Sequence, residues 1–112
     1  MSENAKFVQL LENIRDATAK GRLQWEDTIH EDSFRLVLDY AILRIGVSYD
    51  DGLERETYSA FLMNEAGRVV DSLTSEEGSR ELLANLFGLA RRSARGAEDL
   101  IDRMLGDLTL SA

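Results

Sequence analysis

Near the start of the chain Phe7, Leu10, Leu11, Ile14 and Ala17 recur at the spacing that puts apolar side chains on one side of a helix. Ser2 or Asn4 offers a side-chain oxygen to the free N–H groups of its first turn, and Lys20-Gly21 supplies a cation and a residue free to take positive φ where the helix should stop. From Leu23 to Asp32 the pattern breaks. Trp25 stands in what reads as a short extended lead-in, and Glu26, Asp27, His30, Glu31 and Asp32 form a polar, acidic loop. Four apolar and β-branched runs follow, Phe34 to Leu38, Ile42 to Tyr49, Thr57 to Met63 and Arg68 to Leu73. They are separated by Asp39-Tyr40, Asp50-Asp51-Gly52 and Asn64-Glu65-Ala66-Gly67, links short enough for hairpins only, so the runs predict a four-stranded antiparallel meander.

Beyond Leu73 the helical period returns. Thr74 with Glu77 stands at capping-box spacing, with Ser79 as the alternative cap, and Leu82, Leu83, Leu86, Phe87 and Ala90 make an apolar stripe. Gly96 interrupts it, and Ala97, Leu100, Ile101, Met104, Leu105 and Leu108 resume it, which predicts two helices or one kinked at Gly96. No linker or repeat divides the chain. The expected architecture is a single two-layer α+β domain over residues 1–112, an N-terminal helix, a β-meander and a C-terminal helix pair packed on one sheet face.

Alternation along the strands is incomplete. Phe34, Leu36 and Leu38 fit one face with Leu43, Ile45 and Val47, which leaves Val37, Ile42 and either the Tyr58 or the Phe61 parity for the other. If helices cover one face only, the leftover set is a homodimer or partner surface; the alternative is that helices or loops wrap around far enough to cover it.

Gly21-Arg22-Leu23-Gln24-Trp25-Glu26, the strands carrying Phe34 and Ile45, and the tail Leu89-Ala90-Arg91-Arg92-Ser93-Ala94 resemble a loose group of small bacterial α+β proteins. That group shares the first helix, a Gly-basic-apolar-x-Trp-Glu segment, a meander and a helical tail. The resemblance implies the fold; it carries no assigned activity and no site residue.

Composition narrows the chemistry. The formal charge of −8, from 21 acidic against 13 basic residues, opposes phosphate backbones and anionic lipid, so neither direct nucleic-acid binding nor membrane-surface binding is expected. With no cysteine there is no disulfide, thiolate metal site or Cys nucleophile, and no stretch nears the ~20 apolar residues of a membrane span. Lacking a basic segment followed by an apolar one at the N-terminus, the sequence points to the cytoplasm.

No two glycines stand at the separations of a dinucleotide fingerprint or a P-loop; with a single histidine, any triad or histidine general base would have to use His30, and a multi-histidine zinc site within one chain is impossible. No cofactor is expected. The carboxylates around His30 match no EF-hand order and read as a solvated loop, as do Asp50, Asp51, Glu54 and Glu56. Arg91, Arg92 and Arg95 form the densest basic cluster; they either hold an acidic partner or complement the helix end before Gly96 and pair with Asp99. Trp25 is either an exposed anchor or a core lid over the sheet edge. The leading expectation is a non-enzymatic protein-interaction module (an adaptor, accessory subunit or inhibitor) whose interaction residues include Trp25, Val37, Ile42, Arg91, Arg92 and Arg95. An acidic mimic of nucleic acid that occupies a basic partner is the alternative within binding functions. An enzyme of unfamiliar type would need Asp, Glu, Arg or Ser side chains converging in a concave pocket.

Overall fold

Residues 5–30, 32–52 and 54–111 are described by the computed structural model, so the expected caps Ser2 and Asn4, and Glu31 of the acidic loop, lie outside the described residues. Helix α1 (Ala5–Ala19) buries Phe7, Leu11, Ile14 and Thr18, one stripe at the helical period. It ends as its sequence predicts. Gly21 takes φ 73°, its N–H donates to the Thr18 carbonyl at 3.0 Å, and the Arg22 N–H donates to the Ala17 carbonyl at 2.9 Å. This paired return of N–H groups satisfies carbonyls the last turn would otherwise leave open.

The sheet has five strands rather than four, in the order β1 (Glu26–Asp27), β2 (Ser33–Leu38), β3 (Ala41–Asp50), β4 (Arg55–Asn64) and β5 (Val69–Thr74), every neighbouring pair antiparallel. The additional strand takes the first two residues of the segment read as an acidic loop, where Glu26 and Asp27 pair with Arg35 and Phe34. Two acidic residues carry no apolar alternation, so only the edge of β2, offering free backbone groups, makes them a strand. At the β4–β5 turn Asn64 Oδ1 accepts from the N–H groups of Ala66 and Arg68 at 3.0 and 3.1 Å, while Gly67 sits at φ 79°. A bulge at Leu62/Met63 then shifts β5 so that Val69 stands opposite Met63.

Helix α2 (Arg80–Ala94) starts after Ser79, which occupies a left-handed conformation at φ 57° and makes no side-chain cap bond. Thr74 and Glu77 do bond, the Glu77 carboxylate accepting from both the N–H and the hydroxyl of Thr74 at 3.2 Å, but they close the turn after β5 and not the helix. Leu82, Leu83, Leu86 and Ala90 are buried, and the continuous core they join contains Leu11, Phe34, Leu36, Leu43, Ile45, Ala60 and Leu73. Phe87 packs its ring against Phe34 and Tyr58, at centroid separations of 5.5 and 5.8 Å. The order of layers is therefore α1 against α2, and α2 against one face of the sheet.

Trp25 ties these layers together. It is 1% exposed, its indole N–H donates to Thr18 Oγ1 at 3.0 Å, and its backbone N–H donates to Ser93 Oγ at 2.9 Å. The Gln24 amide also donates to the Ser93 carbonyl at 2.8 Å. Arg95 and Gly96 then turn the chain, Gly96 at φ 66°, and α3 (Ala97–Ser111) leaves as a separate helix. The helix pair meets the sheet through α2; α3 makes its contact with α2.

Candidate docking surfaces

Helix α3 carries the largest solvent-facing apolar set of any helix. Leu100, Ile101, Met104, Leu105 and Leu108 are between 43% and 66% exposed, although their spacing places them on one side of the helix. Glu98 and Asp102 flank this stripe on one edge and Asp107 on the other, and with Asp99 they outnumber the one cation of the helix, Arg103. No side chain described on α3 is buried. Its projection is visible in the dimensions of the molecule: the radius of gyration is 15.9 Å, against about 13 Å for a compact chain of this length. The periodicity of this stripe is evident from sequence, but the pattern alone does not distinguish a stripe turned to the core from one turned to solvent.

The second surface is the sheet face opposite α2. Register puts Ile42 beside Val37 and Met63, and Arg44 beside Arg35 and Phe61, so this face carries the leftover apolar set with the Phe61 parity; Tyr58 belongs to the inner face. Val37 is 46% exposed, and Val69, opposite Met63, is exposed as well. Arg44 lies over the Phe61 ring at 5.7 Å, and Arg35 is bonded to Glu26 at 3.0 Å. The loop carrying Ile29 and His30 forms one wall of an open groove of about 650 Å3 over Arg44, Ser59 and Phe61. At the loop base, Gly46 lets the chain approach closely: a Cβ there would stand 3.2 Å from the Asp32 carbonyl oxygen. Ile42, Phe61 and Met63 are half-buried and the Ile29–His30 loop walls one end, so helices and loops cover this face only in part.

The three arginines do not act as one cluster. Arg92 is bonded to Glu98, the neighbour of the expected partner Asp99, and lines a cavity of about 430 Å3 at the α2–α3 corner. Arg91 and Arg95 line a different groove, and Arg95 stands over the Phe34 ring at 5.4 Å with its Nε 4.0 Å from Asp27. Trp25, the other interaction candidate on this side, is a core lid, and its burial removes it from any docking surface.

The groove of Arg91 and Arg95 also gathers Asp32, Glu56 and Tyr58, in about 470 Å3. Carboxylates, a phenol and cations line this one groove. Tyr58 donates its hydroxyl proton to Glu56 Oε2 at 3.0 Å, and burial, together with that bond and the Glu56 charge, pushes the phenol above its usual value despite the opposing pull of Arg80. Such a phenol holds its proton and is a poor general base. Among the described residues no three side chains of the metal-ligating types converge, and no helix is long and apolar enough to cross a membrane.

Comparison with family models, with curated proteins and with solved structures gives no match in any of the three.

Proposed function

We propose that this chain is a non-enzymatic protein-interaction module whose docking element is α3. The observation that carries the reading is the exposure of its whole apolar stripe, Leu100 to Leu108, on a helix with no buried side chain described. Isolated helices of about 12–15 residues are marginal in water, and a 15-residue helix is ordinarily held by packing one face. Large aliphatic side chains left in water on an acidic-edged helix suit a groove or sheet on a folded protein. The α2 and sheet layers would then serve as the mount, with the Gly96 corner setting the angle at which α3 is presented.

Affinity capture from native lysate with the wild-type chain and with Ile101→Asp/Leu105→Asp tests this. A partner retained by the wild type and lost by the double variant, at equal melting temperature, is the expected result. Capture of the same proteins by both chains would reject α3 as the docking element.

A further inference from the structure

Two solvent-facing surfaces of this molecule complement each other. Helix α3 presents an aliphatic stripe with Asp102 at its edge; the outer sheet face presents exposed Val37 and Val69 and half-buried Ile42, Phe61 and Met63, beside Arg44 and the Glu26-bonded Arg35. Apolar meets apolar, and carboxylates meet guanidinium groups, which is the charge pattern that fixes register across an interface. The dimensions agree too. Fifteen residues of helix are about 22 Å long, enough to cross the four main strands, whose outer axes at about 4.8 Å spacing stand about 14 Å apart.

We propose that the chain forms a twofold homodimer in which α3 of each copy lies across the outer sheet face of the other. This rests on the reading of α3 as a docking element and names its partner: a second copy of this chain. Each sheet then has a helix on both faces, α2 from its own chain and α3 from its neighbour, so one symmetric arrangement covers both surfaces. Two helix-on-sheet contacts of this kind bury on the order of 1,500 Å2, within the range of stable interfaces. The competing arrangement, α3 against α3, brings together two helices that each carry Glu98, Asp99, Asp102 and Asp107 against one Arg103, and leaves the sheet face bare.

Light scattering after gel filtration on the purified chain, Leu105→Asp, Val37→Asp and an equimolar mixture of the two variants tests the proposal. All the altered side chains are exposed, so melting temperatures should match the wild type; if Val37→Asp melts early, Val69→Asp alters the same face. The wild type is expected as a dimer whose dissociation constant rises with salt. Each variant alone should weaken it by at least about tenfold. The mixture should pair better than either variant alone and less well than the wild type, because one contact, intact α3 on intact sheet, is restored while the other brings both altered surfaces together. A Val37→Asp chain as dimeric as the wild type would overturn the proposal in favour of α3 pairing, and a mixture that pairs no better than the variants alone would overturn it as well. A wild type that is monomeric at high concentration overturns the homodimer alone; α3-dependent capture of a different protein would then leave the docking reading standing.

Discussion

At the scale of single residues, one buried hydrogen-bond chain fixes the Trp25 ring against α1. The Trp25 indole donates to Thr18 Oγ1, which donates onward to the Ile14 carbonyl at 2.7 Å, and both side chains are buried. Thr18→Val keeps the shape and removes the acceptor, leaving an indole N–H without a partner; a loss of about 1–3 kcal/mol in denaturant unfolding is expected. The loss should shrink when Trp25→Phe is already present, because the stranded donor is then gone. Tyr58 gives a pH prediction of defined sign. Its folded-state pKa is raised, so the native chain holds the phenolic proton more tightly than the unfolded one, and the linked stability is complete below 10.0 and falls as pH rises through the folded value. The phenolate absorbance that Tyr58→Phe removes should therefore have its midpoint above 10.0. In the sequence Trp25 is conspicuous but two-sided, since a lone large aromatic suits a lid as well as an anchor. What settles its place is Thr18, a residue distant from any motif that happens to fall on the buried side of α1.

At the scale of elements, the helices end where backbone freedom allows and the strands where turn chemistry demands. Gly21 has open space around its missing Cβ but a φ of 73°, so Gly21→Ala should cost about 1 kcal/mol through backbone strain alone. Leu83 differs in kind. It is fully buried on α2, and Leu83→Ala should cost about 2–5 kcal/mol, read as a lower urea midpoint at unchanged slope. Periodicity made α1, α2, α3 and the four long strands legible, because each carries its apolar residues at the regular spacing of its element. It missed β1, since Glu26 and Asp27 are held by pairing with β2 and bury nothing. It also left the start of α2 open between Thr74 and Ser79, because a Thr-x-x-Glu pair closes a turn as readily as it caps a helix.

Across the whole molecule, the unequal treatment of two similar stripes matters most. Leu82, Leu83, Leu86 and Ala90 of α2 are buried, whereas the stripe of α3 is in solvent, so Ile101→Asp/Leu105→Asp should leave the melting temperature of the dilute chain within a degree or two of the wild type. That outcome is checked by calorimetry and contrasts with the effect of Leu83→Ala. The candidate surface was half legible: leftover parity marked Val37 and Ile42 for the outer face, while the exposure of α3 depends on the turn at Gly96, whose direction no local pattern encodes. The strand order carries a further consequence. Every strand pairs with its neighbours in sequence, so the sheet can zip up through short loop closures that cost little chain entropy, and such local wiring goes with rapid folding. The long-range event is α1 reaching α2 across the whole meander, which makes the Trp25 indole, stationed at that junction, the natural optical clock for the last step of assembly.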